Sequence, residues 1–192
     1  MAISQCFVKR VQIMETTNII EKSENVTFIP DTSINEKLYL HNVESVIKEL
    51  EDVSKLRDKD ADLPDVYFLN KEKKQYLRLV FFPGGAANSV SQFEFGDTSQ
   101  MNKETIRHNS TFISFHTESN IKLGQSIEEI IKIKGSKYSK ETHKNDIIKL
   151  KYEINELDYS QFLKRYNMPL YFMELEFKKN KLVRCRYGFE YP

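Results

Sequence analysis

Tyr171-Phe172-Met173-Glu174-Leu175-Glu176-Phe177-Lys178-Lys179-Asn180-Lys181-Leu182-Val183-Arg184-Cys185-Arg186-Tyr187-Gly188-Phe189-Glu190-Tyr191 is the stretch that decides the fold. Tyr171, Met173, Leu175 and Phe177 alternate with Phe172, Glu174 and Glu176. After Lys178–Lys181, Val183, Cys185, Tyr187, Phe189 and Tyr191 alternate with Leu182, Arg184, Arg186 and Glu190. A period of two is the signature of a strand with one face in the core, and the short polar break makes the pair a hairpin. A slip of one residue would turn every apolar side chain outward, so the register is specified. Pairing Phe177 with Val183 keeps the apolar residues together and sets Glu176 against Arg184 and Glu174 against Arg186. Cross-strand pairs of opposite charge favour this register by tenths of a kcal/mol up to about 1 kcal/mol.

The same logic recurs earlier in the chain. Leu77, Leu79 and Phe81 alternate in one run and Phe93 and Phe95 in the next. Pairing Leu79 with Phe93 places Arg78 against Glu94, with Pro83–Ser89 as the connecting loop. Further strands are expected at Val66–Leu69 and Ile147–Ile154, a short helix at Tyr159–Tyr166 stopped by Asn167 and Pro169, and an N-terminal helix within residues 7–24. A shift of 84 residues lays Thr27-Phe28-Ile29 on Thr111-Phe112-Ile113, and Asn42–Lys48 on Ser126–Lys132, with six identities in 22 positions. Each copy opens with a β-prone run, Val26–Ile29 or Thr111–His116, and then enters a helix. Asn42 caps the first helix, whose stripe is Val43, Val46, Ile47 and Leu50. Ser126 and Glu129 form a capping box on the second, Ile127, Ile130, Ile131 and Ile133 lie on one side, and Gly135 ends it. Polar passages follow at Glu51–Asp65 and Ser136–Asp146. The reading is an α+β chain of two related two-layer units, each an antiparallel sheet with helix on one face. Residues 1–25 form an N-terminal segment, 26–109 the first unit and 110–192 the second; sequence leaves open whether the units share one sheet.

Leu123-Gly124-Gln125-Ser126-Ile127-Glu128-Glu129-Ile130, followed by Gly135 and by antiparallel hairpins, resembles the β-lactamase-inhibitor-protein-like superfamily. The inhibitor of that group is similar in being two tandem copies of a helical segment on an antiparallel sheet. In the first copy Leu40 stands where Gly124 stands in the second. The resemblance implies a non-enzymatic binder of the cell envelope or exterior and no particular target.

Composition sets outer bounds. The 192 residues are 40% hydrophobic and 30% charged, with no Trp, which excludes a disordered chain and a helical membrane protein. No apolar run approaches the ~18 residues of a spanning helix. Residues 1–120 carry 14 Lys and Arg against 18 Asp and Glu, and residues 121–192 carry 15 against 10. That dipole can orient a charged partner, but it is not the basic footprint of nucleic-acid binding. Cys6 and Cys185 form no CxxC or Cys/His group, and a bridge between them would need an oxidising compartment. Cys6 as the acceptor of a trimmed lipoprotein signal would place the chain in the envelope or periplasm; otherwise the expectation is cytoplasmic.

No motif announces a reaction. Asp58-Lys59-Asp60-Ala61-Asp62 has calcium-loop spacing, but Leu63 and Leu69 stand where the sixth-position Gly and the twelfth-position Glu are needed. Pro83-Gly84-Gly85-Ala86-Ala87-Asn88 follows a strand without a Gly-Lys-Ser/Thr ending, so it reads as a hairpin loop and as the candidate partner-binding loop. His41, His108, His116 and His143 share no ligand or catalytic spacing. The basic tip Lys178-Lys179-Asn180-Lys181 with Arg184 and Arg186 could attract phosphate, but the arginines have Glu partners in register. The expectation is therefore a non-enzymatic interaction protein with a protein partner, without cofactor, metal site or nucleic acid. A small intracellular immunity or regulatory protein and a hydrolase with a site between the halves are the alternatives.

Overall fold

In the computed structural model, residues 28–56, 64–82, 88–101, 105–143, 146–155 and 160–190 are described. Chain order runs β1 (Ser33–Ile34), β2 (Leu38–Tyr39), α1 (Val43–Leu50), β3 (Asp65–Leu69), β4 (Gln75–Phe81), β5 (Val90–Asp97) and β6 (His108–Asn109). It continues with α2 (Ile127–Lys134), β7 (Ser139–His143), β8 (Ile147–Ile154), α3 (Gln161–Tyr166), β9 (Leu170–Lys178) and β10 (Lys181–Glu190). The expected N-terminal helix, Cys6, the acidic run Asp58–Asp62 and loop residues Pro83–Ala87 lie outside the described residues.

The fold is mixed α+β, and its main sheet is mostly antiparallel. Eight strands follow the order β6-β3-β4-β5-β10-β9-β8-β7, and β1 pairs with β2 as a separate hairpin. Among the described strands only the short β3–β6 edge contact is parallel. The strands of the two halves join in one continuous sheet, because β5 pairs with β10 from Gly96↔Arg184 to Gln92↔Gly188. Leu79↔Phe93 and Arg78↔Glu94 stand opposite each other as their alternation requires.

The helices form where their caps begin them. Asn42 accepts from Ser45 N at 2.9 Å. Ser126 N donates to Glu129 Oε2 at 2.7 Å and Glu129 N to Ser126 Oγ at 3.3 Å, a complete capping box. Gly135 ends α2 at φ 84°, and Asn167 ends α3 in the left-handed region. Val46, Ile130 and Leu163 enter the same apolar core as Leu79, Phe93, Leu175, Cys185 and Tyr187. Cys185 is a free thiol there, and burial pushes its ionisation well up.

Several expectations are corrected. Phe177 stands opposite Leu182, not Val183, and Val183 is bulged out between Leu182 and Arg184. The loop before α2 explains the bulge: Gly124 N donates to Leu182 O at 2.9 Å and Leu182 N to Gln125 O at 2.8 Å, drawing Leu182 into the core. The Arg184↔Glu176 and Arg186↔Glu174 register survives it. Residues 111–115 are not a strand, because Asn and Gln side chains replace a ladder: Asn70 Nδ2 donates to Ile113 O and Phe115 N to Gln75 Oε1. Part of the polar passage Ser136–Asp146 is the edge strand β7, which pairs with β8 and needs no apolar alternation at the rim. On the helices, Ile47 and Ile133 are exposed, whereas Lys134 is buried.

Lys134 is buried because it completes the 127/130/134 face of α2 and meets a charge supplied by another segment. Its Nζ lies 2.8 Å from Asp31 Oδ2, with both side chains 1% exposed, and donates to Ile29 O at 2.7 Å. Ser119 donates to Asp31 from N and Oγ at 3.1 and 2.8 Å. Tyr171 OH donates to Asp31 O at 2.6 Å, and Tyr187 OH donates to Ser33 O. Segment 28–34 is thereby fastened to α2 and to β9 and β10.

Candidate binding face

All three helices send their buried side chains to one side of the sheet, and among the described residues none lies on the other. Alternation sends the charged residues to that second face, open in that no described helix covers it. They form a ladder across five strands. Arg78 of β4 holds Asp65 of β3 at 2.7 Å and reaches Glu94 of β5 at 3.7 Å. Glu94 lies 3.9 Å from Arg184 of β10, which binds Glu176 of β9 at 2.5 Å. Beyond it, Lys149 of β8 pairs with Glu174 of β9 at 3.4 Å.

The ladder is anchored by aromatics. The Glu94 side chain is only 6% exposed, and Tyr76 OH donates to its Oε1 at 2.7 Å. The Tyr76 ring occupies the space over Gly96 that a Cβ would fill. Burial, and then the Glu94 charge, push the Tyr76 phenol up, so it stays a donor. Arg78 lies over the Tyr67 ring at 5.6 Å. Arg186, in register with both Glu94 and Glu174, departs from the expected pairing. Its Nε and Nη2 donate to Gln92 Oε1 at 3.0 and 2.6 Å, and its guanidinium stacks 5.1 Å from the Phe172 ring. Because Glu94 is committed to Tyr76, Arg78 and Arg184, this face presents rigidly held charge, with Tyr76 and Phe172 themselves buried.

The nominated loop meets the described structure at Asn88, which is buried at φ 64°. Asn88 Oδ1 accepts from Val53 N at 3.1 Å, and its Nδ2 donates to Asp52 Oδ1 at 3.0 Å. Hydrogen bonds from Asn88, then Ser54, hold Asp52 at about 2. Asn88 thus ties the loop's end to the turn after α1. The basic tip is likewise structural at Asn180, whose side chain accepts from Ile127 N and donates to Glu128 at the start of α2. A shallow depression of about 540 Å³ beside α1 is lined by residues such as Lys37, Asn42, Ser45 and Glu49. Asn42 and Ser45 are spent there on the helix cap.

The described histidines occupy separate places. His108 faces Phe68, and His116 Nδ1 meets Thr117 O at 3.0 Å. The His41 ring packs against Phe82, Tyr166 and Phe189, and its buried Nε2 has no hydrogen-bond partner among the described residues. Burial holds this imidazole below its ordinary 6.5. The unfolded chain therefore takes up the proton first. The His41 contribution to stability is whole above about pH 6.5 and is lost as pH falls through the lowered folded value. Urea unfolding at pH 7.5 and 5.5 is expected to show wild type losing more stability than His41→Asn, a residue that tolerates the φ of 58°. Equal losses would show that other groups carry the pH dependence.

Among the described residues, no group of three or more His, Cys, Asp and Glu is placed to hold a metal, and no helix is long and apolar enough to cross a membrane. In comparisons with known proteins, no family model, curated protein or solved structure matches this chain.

Proposed function

We propose that this protein is a non-enzymatic binding protein that engages another protein through the open face of its sheet and through the Pro83–Asn88 loop. The observation that carries this reading is a sheet face that carries no helix among the described residues and on which arginines are already held in place by carboxylates and buried aromatics. Arg78 and Arg184, whose side chains are 24% and 31% exposed, are locked by carboxylates, while the buried Tyr76 and Phe172 hold Glu94 and Arg186 in place. Arg is enriched at interface cores, and side chains ordered before binding lose less entropy on association.

The halves are further read as two copies of one unit, in the manner of the β-lactamase-inhibitor-protein-like superfamily. What supports this is chain order about the central pair. From β5 the first half runs outward as β4 and β3, and from β10 the second runs outward as β9 and β8. Each series follows a capped helix, α1 or α2, that is itself preceded by a short antiparallel pairing, Ile34↔Leu38 or His116↔Lys122.

Amine cross-linking to a partner captured from the source cells tests the binding reading, because lysines mark both sides. Lys149 and Lys151 lie on the open face, whereas Lys48 and Lys132 lie on helices. Cross-links are expected at Lys149 and Lys151. Replacing Gly84 and Gly85 by Asp is expected to reduce capture with melting held within about a degree, as for surface changes costing under ~0.5 kcal/mol. Cross-links confined to Lys48 and Lys132 would overturn the assignment of the face.

A further inference from the structure

Of the three arginines on the open face, Arg186 alone has no carboxylate within ion-pair distance among the described residues. Arg78 has Asp65, and Arg184 has Glu176. The two carboxylates that stand opposite Arg186 in register are committed elsewhere, Glu94 to Tyr76, Arg78 and Arg184, and Glu174 to Lys149.

The side chain is nevertheless fixed. Gln92 Oε1 takes the Nε and Nη2 protons, and Gln92 is itself oriented by donating from Nε2 to Phe189 O at 3.0 Å. Phe172 supplies a platform on the other side. Gln92 and Phe172 are the cross-strand neighbours of Gly188, so Arg186 reaches along β10 over the residue that has no side chain. A guanidinium has five N–H groups and two bidentate edges. Gln92 occupies the Nε/Nη2 edge, and the Nη1/Nη2 end has no acceptor among the described residues. That open end matches the two oxygens of a carboxylate.

We propose that Arg186, seated between Phe172 and Gln92, is the anchor that receives an Asp or Glu side chain of the protein partner. The inference rests on the open face being the binding surface. It commits to an acidic protein group because, among the described residues, this ordered positive charge has no counter-charge and its planar fork is unfilled at one end. An arginine that is ordered beforehand and stacked on an aromatic has the character of an interface hot spot.

The probe is an end-blocked tetraglutamate peptide, titrated into protein whose arginine side-chain Nε–Hε signals are followed by NMR. The Arg186 signal is expected to shift in a saturable way, more weakly at 300 mM than at 50 mM salt, and tetraglutamine is expected to leave it unmoved. Arg186→Lys keeps the charge and loses the fork, and is expected to bind the peptide about tenfold more weakly, a change of about 1.4 kcal/mol. Three results would overturn the anchor: a shift at Arg78 or Arg184 without Arg186, an unweakened Arg186→Lys, or a response to inorganic phosphate with none to tetraglutamate. The cross-linking result separates this failure from that of the binding reading. A partner cross-linked at Lys149 and Lys151 and retained equally by Arg186→Lys rejects the anchor alone. Cross-links confined to the helical side reject the face itself.

Discussion

Replacing Lys134 by methionine is expected to destabilise the protein by about 3–5 kcal/mol, the range for breaking a buried ion pair from one side. The melting temperature should fall by roughly 6–20 °C, at 2–4 °C per kcal/mol for a chain of this size. The cause is the carboxylate left behind. Asp31 is 1% exposed, and without the ammonium 2.8 Å away the Ser119 donors are what it keeps among the described residues against the cost of burying its charge. Ile29 O loses its donor as well. Asp31→Leu should be similarly damaging, because it strands the ammonium beside the Phe28 ring, 6.0 Å away. The double variant Asp31→Leu/Lys134→Met should recover much of the loss, since an apolar pair of similar volume removes both desolvation costs. Urea unfolding of the four proteins measures the coupling. If Lys134→Met stays within ~1 kcal/mol of wild type, segment 28–34 is not held by this pair.

Gly188→Ala is expected to cost about 2–5 kcal/mol, combining roughly 1–3 kcal/mol of overpacking with roughly 1–2 kcal/mol for an L side chain at positive φ. Gly188 has φ 142°, and a Cβ there would lie 2.3 Å from Ser91 O and 2.7 Å from Gln92 Cα. Both obstacles are backbone, so no rotamer change relieves them. The close approach follows from a bulge in β5: Val80 pairs with Gln92 and Phe81 with Val90, leaving Ser91 unpaired. Ser91 Oγ donates back to Val80 O at 3.0 Å, and the Ser91 carbonyl approaches β10, where only glycine admits it. Since β5 and β10 join the two halves of the sheet, the damage falls on that seam. Gly135→Ala is the comparison: φ is 84° but a Cβ would meet nothing within 4 Å, so only the conformational cost of about 1–2 kcal/mol applies. Thermal unfolding of both variants should rank Gly188→Ala clearly below Gly135→Ala. Equal losses would show that β5 can withdraw from β10 without harm.

What the sequence by itself determined is whatever depends on neighbours a few residues apart. Asn42 and Ser126 announce helix starts because a cap is satisfied by the next turn, and Gly135 and Asn167 announce ends because they admit positive φ. Alternation set the Leu79↔Phe93 and Leu175↔Cys185 pairings, since any slip of one residue would turn the core outward. The tertiary structure decided what distant segments supply. Lys134 lies on the buried face of α2 by its spacing, but a lysine is tolerated there only because Asp31, 103 positions earlier, brings a counter-charge. Leu182 displaces Val183 from the core because Gly124 and Gln125 take its backbone groups. The charge ladder is half legible: Arg78 against Glu94 and Arg184 against Glu176 follow from register. Arg186 does not, because its registered carboxylates are drawn away by Tyr76, Arg184 and Lys149, and Gln92, 94 positions away, takes their place. Pairing across β5 and β10 likewise had no local signal, because a strand's free edge carries only backbone groups, and these accept any partner that the fold delivers.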